Sequence, residues 1–111
     1  MDNRLFLPAT QRNKNCIEDV LSEVIKKSGS ILEIGSGSGE HGVGFQKRFP
    51  EIIWQTSDPN LVHRKSISSW IKYEELNNKM PQPLELDVEK IPWKIPPNLL
   101  HSLQGIVSIN M

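Results

Sequence analysis

A single cysteine, Cys16, is all the thiol chemistry in this sequence, so neither an internal disulfide nor a cysteine-rich zinc site can form. Cys16 falls in a helix-like segment and reads as an ordinary packed or half-exposed thiol. An excess of one charge is missing too. Thirteen basic residues face thirteen acidic ones, which removes bulk attraction to nucleic acid or to an anionic membrane. No apolar run reaches the length of a bilayer span, and the opening MDNRLFLPATQRNK lacks the apolar core of a signal peptide. The expectation is a cytoplasmic protein with neither nucleic-acid nor membrane partners. Its 111 residues suit one domain.

Glycine is scarce elsewhere but crowded in one place: five of the seven lie between Gly35 and Gly44, directly after an apolar run, in ILEIGSGSGEHGVG. Around that loop the chain alternates. Residues 1–11 have no periodicity and read as an arm. From Arg12 to Lys27, Ile17, Val20, Leu21, Val24 and Ile25 form the stripe of an amphipathic helix, with Gly29 as its left-handed exit. Residues 30–34 are a short buried strand. A helix follows over residues 40–49, stopped by Pro50, and then a strand over 52–57. Asp58-Pro59-Asn60 makes a turn into a helix over 61–76. PLELDV (83–88) reads as a third strand. EKIPWKIPPNLLHSLQ carries three prolines, which exclude a long regular element; a helical turn fits at 98–103. GIVSINM (105–111) reads as a fourth strand. Such alternation predicts an α/β fold, a Rossmann-like doubly wound parallel sheet, with ligands beyond the carboxyl ends of its strands.

The glycines, Asp58 and Asp87 would meet on that rim. Glycine there permits positive φ and a close ligand, and the helix after it points free N–H groups at the same place. Gly37-x-Gly39-x-x-Gly42 also fits the dinucleotide fingerprint. Asp58 follows the loop by about twenty residues, the spacing of a carboxylate that accepts ribose hydroxyls. Both a nicotinamide cofactor and S-adenosylmethionine carry that ribose. Glu33 favours the sulfonium: a carboxylate within an apolar strand needs a partner, and a cationic amino-acid moiety would supply one. Asp87 could accept the amino proton of an adenine. Glu40, at the start of the second helix, would repel a pyrophosphate. His41, His63 and His101 are candidate bases by residue type only, and no nucleophilic triad or metal-ligand spacing is present.

LEIGSGSGEHG, WQTSD, LELDV and IVSINM together resemble the first half of a class I S-adenosylmethionine-dependent methyltransferase. RNKNCIEDVL, FP followed by WQTSD, and the terminal INM resemble more narrowly the methyltransferase-like 26 family. The resemblance spans about residues 12–111. It implies S-adenosylmethionine as cofactor, with Glu33, Gly35, Ser36 and Gly37 around its methionine portion and Asp58 on the ribose. It places Asp87 and Val88 at the adenine and Asn110 near the methyl-transfer site, with Arg12, Asn13 and Lys14 closing over the carboxylate. Class members normally have seven strands, so the resemblance implies a single incomplete domain, truncated after the fourth strand. The acceptor class favoured is a small molecule. An uncovered fourth strand, apolar over 106–109, would favour self-association. Two other readings stay open: a nicotinamide-dependent oxidoreductase fragment, and a non-catalytic interaction module.

Overall fold

The computed structural model describes residues 2–6 and 17–109. A helix, α1, covers residues 17–24. It is followed by β1 (Gly29–Ile34), α2 (Glu40–Arg48), β2 (Ile52–Gln55), α3 (Leu61–Tyr73), α4 (Pro97–Ser102) and β3 (Leu103–Ser108). The three strands are parallel in the order β2-β1-β3, with Ile31 of β1 opposite both Trp54 and Gly105. The fold is the expected one, a mixed α/β architecture around a parallel sheet.

Alternation along β1 and β2 divides the sheet into two faces. Ile31, Ile52 and Trp54 join Val43 and Phe45 of α2 and Ile67, Trp70 and Ile71 of α3 in the main core. On the opposite face, Ser30 meets Ser102 of α4 through their hydroxyls. Gln46 of α2 is buried and serves as a strand surrogate for β2. Its Oε1 accepts from Trp54 N (2.9 Å), and its Nε2 donates to Ile52 O (2.6 Å).

Four sequence expectations need correction. PLELDV is not a strand: it is reduced to one bridge, Ser57 with Leu84. Leu84 N donates to Thr56 O (3.1 Å), and Leu84 O accepts Asp58 N (3.0 Å). The next acceptor of that ladder, Gln82 O, takes the Gln55 side chain instead, accepting its Nε2 at 2.8 Å. Even so, Leu84 sits on the flank of β2 opposite β1, where a further strand of this topology would lie. The strand expected over 105–111 begins earlier, at Leu103, and is the third strand of the described sheet. Helix α3 ends at Tyr73 rather than residue 76, because Glu75 turns left-handed (φ 59°). Leu76 N then reaches Ile71 O and Glu75 N reaches Lys72 O, the paired bonds that close a helix C-terminus. Gly29, expected as a helix exit, is instead the first residue of β1, at φ 114°. Its missing side chain leaves room for Ser102 O, which an added Cβ would meet at 2.8 Å.

The arm over residues 2–6 is irregular, as expected, yet fastened to α3. Leu5 N donates to Ser66 Oγ (2.8 Å), and Trp70 Nε1 donates to Leu5 O (3.0 Å). Arg4 stacks 3.5 Å above the Tyr73 ring. Among the described residues no helix is long and apolar enough to cross a membrane.

Candidate functional site

Strand β1 delivers the chain into the glycine loop at the carboxyl rim of the sheet. Gly35, Gly37 and Gly39 all have positive φ, at 61°, 61° and 95°, but the glycines of this segment do different work. A Cβ on Gly37 would meet nothing within 4 Å, so the loop's outer side is open where a ligand would approach. A Cβ on Gly39, the N-cap of α2, would lie 2.9 Å from Ile67 Cα. One on Gly42 would lie 2.7 Å from Thr56 Cγ2 and 3.2 Å from Glu33 Oε1. The last two positions are bare so that helices can close on the rim; Gly37 is bare toward open space.

Two residues stitch the loop to the end of β2. Ser36 N donates to Ser57 O (2.8 Å), and Ser57 N donates to Ser36 Oγ (3.0 Å). Asp58 accepts Gly37 N on Oδ2 (3.0 Å). Its other oxygen, Oδ1, accepts Asn60 N (2.9 Å) and the imidazole Nδ1 of His63 (3.1 Å). An ionised carboxylate only accepts, so His63 carries its proton on Nδ1 in this pair. Asn60 Oδ1 caps α3 by accepting Val62 N and His63 N, which fixes the turn that carries both partners.

Beneath the loop lies Glu33, 2% exposed. Parallel register places Trp54 beside Ile31, so the indole shares a face with Glu33 two residues on. Trp54 Nε1 donates to Glu33 Oε1 (3.1 Å), as does Ser36 Oγ (3.1 Å). Burial pushes the Glu33 carboxyl up to about 7 and the neighbouring Asp58 charge adds to this, while the two hydrogen bonds pull the other way. The partner expected from a ligand is thus provided in part by the chain itself.

Glu33, Ser36, Gly37 and Asp58 therefore come together in one hydrogen-bonded frame around Gly35. Asp87 and Val88 follow the Leu84 bridge in a turn: Asp87 Oδ1 accepts Glu89 N (3.0 Å), and Val88 O accepts Trp93 Nε1 (3.2 Å). Arg12, Asn13, Lys14, Cys16 and Asn110 lie outside the described residues. Of the histidines, His41 is buried and stacked on Phe45, with centroids 5.4 Å apart. His101 is exposed in the last turn of α4. His63 touches the frame, through Asp58 Oδ1. Sequence reading missed Trp54 and the Asp58–His63 pair; a carboxylate and a histidine five apart across an Asn helix cap was the available signal for the second. Among the described residues no group of three metal-ligating side chains lies together. A surface cavity of about 410 Å³ between α4 and residues 77–81 belongs to the opposite face and does not touch the loop.

Solved structures share this fold. A protein of Methanococcus maripaludis assigned as an S-adenosyl-L-methionine-dependent methyltransferase superposes with a TM-score of 0.74 at 21% identity, over 93% of this chain and 44% of its own. Coclaurine N-methyltransferase, solved with N-methylheliamine and S-adenosylhomocysteine, gives 0.58 at 14% identity, over 69% of this chain and 23% of its own. An O-methyltransferase family protein of Burkholderia thailandensis gives 0.54 at 20% identity, over 71% and 24%. The chain spans less than half the length of each, and its fold is that of the class I methyltransferases. Residues 4–111 match the family described as "Protein of unknown function (DUF938)", and the chain belongs to that family.

Proposed function

We propose that this chain binds S-adenosylmethionine at the glycine-loop rim and forms the cofactor-binding part of a methyltransferase acting on a small-molecule acceptor. The observation that carries the reading is the frame itself. A buried carboxyl, Glu33, lies under a loop whose Gly37 opens onto free space, and a second carboxyl, Asp58, stands at the loop's far side. A ligand combining a cationic amino-acid end with a ribose diol meets both carboxyls at once. When bound, its sulfonium supplies an electrophilic methyl group. The chain's own share is to hold the ammonium near Glu33, to take the diol on Asp58 and to keep α2 close through Gly42. RNK, WQTSD and INM support the narrower likeness to the methyltransferase-like 26 family.

A nicotinamide dinucleotide fits less well. Its pyrophosphate would sit at the start of α2, where Glu40 is buried with an acidic side chain in the first turn. Isothermal calorimetry with S-adenosylhomocysteine and with NADH tests the reading. Saturable binding of the first and none of the second is expected. NADH binding alone would make the chain an oxidoreductase fragment, and silence toward both would make it an interaction module; either result overturns the proposal.

A further inference from the structure

We propose that His63 is a placeholder on Asp58, occupying the acceptor position that a ligand's hydroxyl must take, so that this histidine sets the affinity of the site for vicinal diols. The inference rests on the functional reading above but adds a residue that the reading does not need.

The argument is a count of acceptor positions. A carboxylate has about four, two on each oxygen. Among the described residues Oδ2 holds one donor, Gly37 N, whereas Oδ1 holds two, Asn60 N and His63 Nδ1. A diol binding in bidentate fashion brings one hydroxyl to each oxygen. There is room on Oδ2 and none on Oδ1. One donor has to leave, and the candidates are unequal. Asn60 N is a backbone amide between Asp58 and a capped helix, and cannot move without unwinding the start of α3. His63 Nδ1 is on a side chain with two rotatable bonds. The Asp58 side chain is 6% exposed and that of His63 is 40% exposed, so the imidazole is the outer member of the pair.

The histidine's backbone is independent of this bond, since His63 N is held by Asn60 Oδ1 at 3.3 Å. Truncating the side chain therefore leaves the cap in place. Arg64 anchors the same turn from below, donating from Nη1 to Asp58 O (3.0 Å) and to Pro59 O (2.8 Å). The carboxylate thus keeps its position when the imidazole leaves. Displacement exchanges one hydrogen bond for another, and a ligand gains less from Asp58 than it would from an open carboxylate.

The probe is 5′-methylthioadenosine, which carries the diol but no ammonium and so bypasses Glu33. Its dissociation constant is compared with that of 2′-deoxyadenosine for wild type, His63→Leu and His63→Gln, each checked by circular dichroism. His63→Leu is expected to bind 5′-methylthioadenosine about five- to tenfold more tightly, the worth of one ordinary hydrogen bond, with a smaller gain for the deoxy compound. His63→Gln, which restores a donor, is expected near wild type. A histidine that merely supports the fold or orients Asp58 would give the opposite sign. Unchanged or weaker binding in His63→Leu, with wild type still binding S-adenosylhomocysteine, overturns the placeholder and leaves the functional reading standing. Absence of S-adenosylhomocysteine binding in all three forms overturns both.

Discussion

Replacing Glu33 with glutamine separates what this buried carboxyl contributes to stability from what it contributes to binding. Its ordinary value of 4.5 rises to about 7 in the fold, chiefly through burial. The folded chain therefore holds the proton more tightly than the unfolded chain does. The favourable contribution is fully present below about pH 4.5 and is lost as pH rises through about 7. At about 1.36 kcal/mol per pH unit, that gap amounts to about 3 kcal/mol in full, most of which falls between pH 5 and 8. Glutamine keeps an acceptor for Trp54 Nε1 and Ser36 Oγ but does not titrate. Urea unfolding of both proteins at pH 5, 6, 7 and 8 isolates the effect, because titrating groups not coupled to Glu33 cancel in the difference. Wild type is expected to lose about 2–3 kcal/mol relative to Glu33→Gln across that range. The variant should also bind S-adenosylhomocysteine more weakly at pH 8, a stability gain coupled to lost function. Parallel pH profiles would refute the reasoning, since they would mean that Glu33 is solvated or ionised throughout.

Gly39→Ala would bring a Cβ to 2.9 Å from Ile67 Cα at a left-handed position, costing about 2–4 kcal/mol in chemical denaturation; Gly37→Val sets a β-branched residue at φ 61°, costing about 1–3 kcal/mol in the same titration, and should abolish S-adenosylhomocysteine binding by filling the open space beside the loop. Asp58→Ala should lose about 2–4 kcal/mol of S-adenosylhomocysteine affinity in calorimetry, and Asp58→Glu should lose part of that. Gln46→Ala leaves Trp54 N and Ile52 O without their side-chain partner in the core, a loss of about 2–4 kcal/mol in a urea titration.

The sequence made β1, α2, β2 and the start of α3 legible because each is bounded by residues with strong local physics: glycine before α2, Pro50 after it, and the Asn60 cap. The segment around Leu84 was harder. Its apolar alternation is that of a strand, but pairing depends on what the neighbour offers, and Gln82 O is taken by the Gln55 side chain rather than by a backbone amide. The end of α3 was missed because a left-handed glutamate carries no sequence mark. At the site, Glu33 was visible as an acid in an apolar strand. Its indole partner was not, because only the register of β1 against β2 brings residues 33 and 54 onto one face. Asp58 was legible by its spacing from the loop. That His63 already occupies it depends on the geometry of one helical turn, which composition does not encode.

The central place of β1 has a consequence for the order in which the chain assembles. On one side β1 pairs with a strand 23 residues downstream, Ile31 with Trp54; on the other it pairs with one 74 residues downstream, Ile31 with Gly105. Closing the longer loop costs about 1 kcal/mol more in chain entropy, and contacts of such sequence separation slow folding. The near side is therefore expected to form first, with Trp54 and Glu33 already in register while the far side of β1 still shows a row of unpaired amides and carbonyls. During synthesis that row waits until residues 103–108 have emerged. The strand that carries the buried acid is thus half built until β3 has been made, and refolding from dilute rather than concentrated solution protects it from pairing with another copy of itself.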